Sequence, residues 1–361
     1  MSGYGNERRK VLVLGAKKSG KTSSLKAVFE GMTPKDTIWL ETTQQIVKTD
    51  FDSILPLELW DTPGSFDLDS ITWEEFSTVV YMLDVSQDTH HPISKIVPTF
   101  ILAYAQNPSI NFEVFIHKAD HWDADWQDED FREITGRVMD EIADFSDWAS
   151  LADTHPNVRF NVDADAWLET LTTEKIRFWL TSIHNYTIYE AWSKVIQRLM
   201  EDIYGTIEGL LNTFGQQSSM HKSFLFDINA KLYVAMDINS VESSTFQLCS
   251  DYLGRMMVFQ SLFDNVPEAR KQARSEKAKR EGKRDPTQDE DDDEDPEERE
   301  WPANVARLGE NTSICYWQFT KRLALMSVVS SDVLNQQQGM IEFNVALLRK
   351  AILQILEAIG Q

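Results

Sequence analysis

The sequence predicts an α/β chain in two parts: a domain on a mostly parallel sheet with helices on both faces, then a smaller α+β domain with one antiparallel sheet. Three observations predict it. Apolar, strand-like runs alternate with amphipathic stretches from Lys10 to about Met200, the pattern of parallel crossovers. A glycine-rich loop, Gly15-Ala16-Lys17-Lys18-Ser19-Gly20-Lys21-Thr22, sits between the first apolar run and a helix-like stretch. Beyond about Ile203 the alternation gives way to hairpin-like strand pairs separated by stretches of helical period.

The first strand is Val11 to Leu14, and the loop after it matches G-x-x-x-x-G-K-[ST] before the helix-like Ser23 to Phe29. A buried strand feeding such a turn and then a helix aims successive backbone N–H groups, from Gly15 through Lys17, Lys18, Ser19 and Gly20 to Ser23, at one spot. The positive end of the helix dipole points there too, which suits a di- or triphosphate. Lys21 would reach the outer phosphates, and the Thr22 hydroxyl would take a position on Mg²⁺. The next strands are Leu55 to Leu59, Val79 to Val85, Phe112 to His117 and Phe178 to Ser182. Polar clusters follow: Asp61-Thr62-Pro63-Gly64, His117-Lys118-Ala119-Asp120 and Thr181-Ser182-Ile183. Ligands of open parallel sheets collect at the carboxyl ends of the strands, so these clusters and the glycine loop are expected on one rim.

Arg132 to Phe145 reads as an amphipathic helix, and Asp153 to Thr173 as an extra acidic loop with a solvated face. From Ile188 to Phe214 apolar residues recur with helical period, with a break expected near Asp202 to Gly205. The expected organisation is a tail over 1–9, a first domain over 10–203 and a second over 204–361. In the second, Ser223 to Ile228 and Lys231 to Met236 form a hairpin around Asn229-Ala230, and a helix runs from about Ser244 to Phe263. Strands Ser313 to Phe319 and Leu323 to Val329 precede a last helix with Ile341, Val345, Leu348, Ile352, Ile355 and Ile359 on one stripe. Between them, about 266–301, a basic half (Arg270 to Arg284) meets an acidic half (Asp285 to Glu300) with almost no apolar residues, the composition of a disordered insert.

Charge narrows the function. A net charge of −23 argues against nonspecific nucleic-acid binding and against direct docking on an anionic membrane. Two cysteines, Cys249 and Cys315, in apolar surroundings fit a reducing, cytoplasmic setting. No apolar run has transmembrane length, and neither a myristoylation glycine nor a prenylation box is present, so membrane contact is expected through a partner.

Asp61 would hold Mg²⁺ through water while the Gly64 amide bonds a γ-phosphate. Lys118 and Asp120 fit a base loop, because a carboxylate accepting two hydrogen bonds reads the adjacent N–H donors of guanine, which adenine lacks. Ser182 and Ile183 belong to the loop that would meet the guanine carbonyl through backbone amides. Thr42 and Thr43 lie in the Pro34 to Asp50 connection, the place for a switch threonine. A P-loop kinase or ATPase would share Gly15 to Thr22 and Asp61 but has no need of Lys118 and Asp120 on a separate strand end. The pair His90-His91 reads as two loop histidines, since adjacent residues seldom converge on one ion.

Gly15 to Thr22, Asp61 to Gly64, His117 to Asp120 and the downstream α+β domain together resemble a Rag-family small GTPase. His117 discriminates, because most small GTPases carry Asn in that slot. Leu40-Glu41-Thr42-Thr43, Asn111 to Lys118 and Lys222 to Asp227 resemble the C/D type, as a fungal-type Rag C/D homologue. The resemblance covers nearly the whole chain apart from the Asp153 to Thr173 loop and the charged insert. It implies a P-loop GTPase domain followed by a roadblock-like dimerisation domain, binding GTP or GDP with Mg²⁺. It further implies an obligate heterodimer with a Rag A/B-type GTPase, recruited through a lysosomal or vacuolar scaffold complex and signalling amino-acid sufficiency to the target-of-rapamycin kinase complex. Family pattern places the switch threonine at Thr43. Ser65 departs from the pattern, where relatives usually have Gln, and is too short to orient an attacking water as Gln does. Slow intrinsic hydrolysis is the expectation, and a nucleotide-binding scaffold with little or no hydrolysis is the alternative.

Overall fold

The computed structural model describes residues 8–358 apart from 53, 67, 69–70, 88, 124, 156–157, 159–163, 240–244, 258–302 and 310. The charged stretch expected to be an insert, about 266–301, therefore lies outside the described residues, as does most of the N-terminal tail. The described residues fall into two compact units, one up to Tyr204 and one from Gly205 to Ala358.

The first unit carries a six-stranded sheet of β1 (Arg9–Gly15), β2 (Val47–Asp52), β3 (Pro56–Asp61), β4 (Phe76–Asp84), β5 (Asn111–His117) and β6 (Ile176–Thr181), in the order β2-β3-β1-β4-β5-β6. All neighbours run parallel except β2 and β3, which are antiparallel. β1 and β4 read as near-continuous apolar runs because both their faces are covered. On one face lie α2 (His90–Gln106), α3 (Gln127–Ala143), α4 (Trp148–Thr154) and α5 (Ala164–Thr170), packed on a core that includes Phe100, Phe112, Val114, Ile116 and Val138. On the other lie α1 (Lys21–Phe29) and α6 (Thr187–Leu199), where Trp192 meets Phe115 edge-on at 5.5 Å and donates from Nε1 to Ser24 Oγ at 3.0 Å. Successive residues of β5 thus serve opposite layers, as the period-2 pleat requires.

Three expectations are corrected here. Part of the Pro34 to Asp50 connection is an edge strand, β2, in which Val47, Thr49 and Phe51 alternate with charged residues, a short strand pattern that the expectation of a connection passed over. The Asp153 to Thr173 stretch is mostly not a solvated loop: α4 and α5 occupy its described part, Leu168 and Leu171 are buried, and Trp167 packs at 4.7 Å from Tyr104. Its apolar residues are few but bulky, and burying them outweighs the polar composition around them. His90 and His91 open helix α2 rather than standing in a loop.

The second unit follows a helix break at Met200, a few residues before the expected one; Gly205 sits inside α7 (Glu201–Gln217). Its five-stranded antiparallel sheet has the order β8-β7-β11-β10-β9, with β7 (Met220–Asp227), β8 (Leu232–Met236), β9 (Ala303–Leu308), β10 (Thr312–Gln318) and β11 (Leu323–Ser330). Strand β9 was not foreseen, because its pattern is largely exposed. Residues 245–257 are helical (α8), and α9 (Ser331–Ala358) closes the described chain. Phe224, Phe226, Tyr233 and Phe246 form an aromatic cluster. Beside it Lys222 and Asp237, both nearly fully buried, pair at 2.8 Å.

Candidate functional site

Five parallel strands of the first unit end on one rim: β1 at Gly15, β3 at Asp61, β4 at Asp84, β5 at His117 and β6 at Thr181. Between them opens a cleft of about 400 Å³, lined by Lys17 to Ser23, by Thr37, Ile38 and Leu40 to Thr43, by Thr62 and Gly64, and by His117, Lys118, Asp120 and Ile183. The expected loops do converge, and they form two ends of different chemistry.

At the first end, Lys21 is buried and its ammonium donates to the carbonyls of Gly15 at 2.8 Å and Ala16 at 2.9 Å. Burial pulls its pKa down to about 8, against the attraction of Asp61. Thr22 Oγ1 donates to Asp61 Oδ2 at 2.6 Å and lies 2.7 Å from Thr43 Oγ1, which donates to the same carboxylate oxygen at 3.2 Å. Three oxygen-bearing side chains, from the start of α1, the end of β3 and the loop carrying Thr43, therefore meet at one point. Burial pushes the Asp61 carboxyl above its usual range despite the Thr22 hydrogen bond and the nearby Lys21 charge. Two buried oxygens, Ser19 Oγ and Asp61 Oδ1, find no hydrogen-bond partner among the described residues. Thr62 ties its loop down by donating to Val13 O at 2.7 Å. Gly64 passes so close to the glycine loop that a Cβ there would lie 2.4 Å from the Lys17 backbone nitrogen, so only glycine fits. Ser65 is exposed on the loop beyond it.

At the second end, Lys118 adopts a left-handed backbone conformation (φ 64°), and its ammonium spans to Asp84 Oδ2 at 2.6 Å and Lys18 O at 3.0 Å. Burial raises the Asp84 carboxyl, but the hydrogen bonds from Lys118 and Ser86 outweigh it and leave the group below its ordinary value. Asp120 Oδ1 accepts from Ser182 Oγ at 2.5 Å. Partial burial raises the Asp120 carboxyl, but this bond, a backbone hydrogen bond and the nearby His184 and His121 together leave it below its ordinary value. Ser182 thus meets Asp120 through its hydroxyl, while its own amide donates to Thr187 Oγ1 at 2.9 Å. His117 is buried with Nδ1 2.9 Å from Thr181 Oγ1. Its ring lies against Gly20, where φ is 100° and an added Cβ would come within 2.5 Å of His117 Cδ2.

Asp84 was not anticipated as part of the site, although a carboxylate closing an otherwise apolar strand is a readable signal. Thr181 was expected on the rim only as part of the Thr181-Ser182-Ile183 cluster, and nothing local in the sequence points to its contact with His117 or to Thr187. Among the described residues no group of three or more His, Cys, Asp or Glu could hold a metal ion. An ion here would draw on hydroxyls and water beside the single carboxylate of Asp61.

Sequence comparison adds a lineage to this geometry. The Gtr1/RagA G protein conserved region matches residues 10–253. The Ras-related GTP-binding protein C of Homo sapiens is 29% identical over 363 residues, covering 98% of this chain and 78% of its own. The GTP-binding protein gtr2 of Schizosaccharomyces pombe is 29% identical over 354 residues, covering 96% and 98%. Among solved structures, the Arl6 BBS3 small GTPase from Trypanosoma brucei aligns with 54% of this chain and 99% of its own at 13% identity, with a TM-score of 0.34. A match that takes in every loop of the rim and more than half of the sequence makes this chain a member of the Gtr1/RagA family of G proteins.

Proposed function

We propose that the chain is a guanine-nucleotide switch of the Rag C/D type whose cleft holds GTP or GDP with Mg²⁺. Membership of the family makes it a guanine-nucleotide-binding GTP hydrolase. The observation that carries the finer reading is the pairing of two unlike ends in one cleft. One end is made of backbone amides, a buried ammonium and clustered hydroxyls; the other presents a carboxylate oriented by Ser182.

In this reading Gly15, Lys17, Lys18, Ser19, Gly20, Lys21, Thr22, Ser23 and Gly64 cradle the phosphates. The Lys21 ammonium, desolvated against two carbonyls, would exchange them for phosphate oxygens. Thr22 and Thr43, with Asp61 through water, would hold Mg²⁺; the hard oxygen donors and the unpartnered Asp61 Oδ1 fit such an ion. The ion would neutralise charge shared by the β- and γ-phosphates. Asp120 reads the guanine N–H edge, supported by Lys118, His117, Ser182 and Ile183. Ser65 does not extend far enough to hold a water in line, so intrinsic turnover is slow. That same residue favours the second reading, a scaffold that retains nucleotide with little hydrolysis, and single-turnover hydrolysis with and without a partner separates the two.

We assign the second unit, from about Thr206 to Gln361, to pairing with a Rag A/B-type GTPase. Its sheet ends in edge strands β8 and β9, and α9 exposes Met340, Phe343 and Leu347. The pair would act at a lysosomal or vacuolar scaffold complex on the target-of-rapamycin kinase complex in response to amino acids. None of the described helices is long and apolar enough to cross a membrane. The test is to express the chain with and without an A/B-type partner, identify the nucleotide that co-purifies, and measure stoichiometry by size-exclusion chromatography with light scattering. A stable one-to-one complex carrying guanine nucleotide is expected; a well-folded monomer that ignores the partner overturns the pairing.

A further inference from the structure

Helix α6 is tied to both ends of the cleft and, at its far end, to the sheet. At its start Thr187 Oγ1 accepts from the Ser182 amide at 2.9 Å, and the Ser182 hydroxyl donates to Asp120 at 2.5 Å. At its middle Trp192 donates to Ser24 Oγ at 3.0 Å and meets Phe29 edge-on at 5.0 Å, both on α1, the helix that opens with Lys21 and Thr22. At its last turn Arg198 Nη1 donates to Glu113 Oε1 at 2.8 Å, and Nη2 donates to Glu174 O at 2.5 Å. The other Glu113 oxygen accepts from Trp179 Nε1 on β6. Both partners are buried, Glu113 completely and Arg198 to 6% exposure.

Glu113, Phe115 and His117 alternate along β5 and so face one layer. Glu113 meets Arg198, Phe115 meets Trp192 at 5.5 Å, and His117 lies against Gly20. Glu113 sits four residues, about 13 Å, back from the cleft end of the strand and does not line the cleft. Stability alone gives little reason for the pair. Desolvating two charges offsets most of their attraction, and apolar side chains of similar volume would hold helix on sheet about as strongly. A forked guanidinium on a carboxylate adds register, because its hydrogen bonds fix direction and spacing, whereas repacked apolar contacts lose uniqueness before they lose stability.

We propose that Glu113 and Arg198 are positioning residues for the cleft: their pair pins the last turn of α6 to β5, and α6 carries that hold to Ser182 at the base end and to α1 at the phosphate end. Displacing the turn then loosens both ends together and speeds nucleotide release. This rests on the reading of the cleft as a guanine-nucleotide site.

The test uses the full chain loaded with fluorescent GDP. In the double variant Glu113→Leu with Arg198→Met, apolar side chains replace the pair. Its stability to denaturant should stay close to wild type while GDP dissociates roughly ten-fold faster. Amide hydrogen exchange in the same variant should rise at Ser182 to Thr187 and at Gly20 to Ser24. Arg198→Lys, which keeps the charge but loses the fork, should show smaller shifts of the same sign. Wild-type dissociation in the double variant, or faster exchange confined to the last turn of α6, overturns the proposal and leaves the pair a packing feature. Should the double variant lose stability or fail to fold, Arg198→Lys decides by the same two readouts. If the wild type holds no guanine nucleotide, the reading of the cleft falls, while hydrogen exchange still reports whether α6 couples the two ends.

Discussion

At the base end of the cleft the polar groups answer one another, with Lys118 on Asp84 and Lys18, Asp120 on Ser182, and His117 on Thr181. At the phosphate end, by contrast, Ser19 Oγ and Asp61 Oδ1 are buried without a hydrogen-bond partner among the described residues, and the Lys21 ammonium rests on two backbone carbonyls. A site whose polar groups are already oriented discriminates among ligands with little rearrangement. One whose buried polar groups lack partners gains most when a ligand supplies them. In the proposed reading the first end would supply specificity and the second state dependence, since Thr43 and Gly64 sit on loops rather than inside strands.

The largest expected effect breaks the base end. Asp120→Asn should remove two charge-assisted bonds to guanine, about 3 kcal/mol or more in all, and so lower GTP affinity at least roughly a hundred-fold while relaxing the preference toward xanthine. Calorimetric titration with GTP and XTP checks this, and equal GTP affinity in the two proteins would return Asp120 to an ordinary surface role.

Acid should loosen the same end by a comparable amount. The His117 imidazole takes a proton at its ordinary 6.5 when unfolded but only at about 4 when folded, chiefly because of burial. Between those values the unfolded chain binds the extra proton, so the stability contributed by this residue is present above about pH 6.5 and is lost as pH falls toward 4. The loss is up to about 3 kcal/mol. Chemical denaturation at pH 7 and pH 4.5 should show it, and His117→Asn should flatten the pH dependence; an equally steep dependence in the variant assigns the effect to other groups.

At the phosphate end, Thr22→Asn should weaken GTP about ten-fold or more and GDP less, because the ion that Thr22 would help hold would neutralise the added charge of a third phosphate. Fluorescent-nucleotide competition at fixed Mg²⁺ measures the ratio, and a variant that binds both like wild type shows that Thr22 is no ligand. The smallest change is expected at Ser65, exposed beyond Gly64. Ser65→Gln should raise single-turnover hydrolysis by roughly five-fold by holding the attacking water, with nucleotide affinity unchanged. No change, or a decrease, would show that the water is positioned by another group.

Much of this was legible residue by residue, because the reasons are local. Gly15 to Thr22 lie between a strand and a helix, and the polar clusters at Asp61, His117 and Thr181 each end an apolar run, so the parallel sheet and its loaded rim follow from contiguous sequence. The misses share a cause, a weak apolar signal. β2 and β9 are short edge strands with few buried residues, and only Val47, Thr49 and Phe51 of β2 alternate with charged residues. α4 and α5 hide in an acidic stretch because a few bulky residues, Leu151, Trp167, Leu168 and Leu171, do the packing.

By itself, then, the sequence determined which strand ends and turns line the cleft, since backbone turns and strand ends are set by neighbours along the chain. Only the tertiary structure decided how their residues are held. Thr22 meets Thr43 and Asp61, Lys118 reaches Asp84 and Lys18, and His117 is gripped between Gly20 and Thr181, each across intervals of 18 to 100 residues. Hydrogen bonds and close approaches of that kind depend on sheet order and register, which bring distant strand ends together. No pattern along the chain encodes that order directly, because parallel pairing leaves the intervening crossovers free to vary in length.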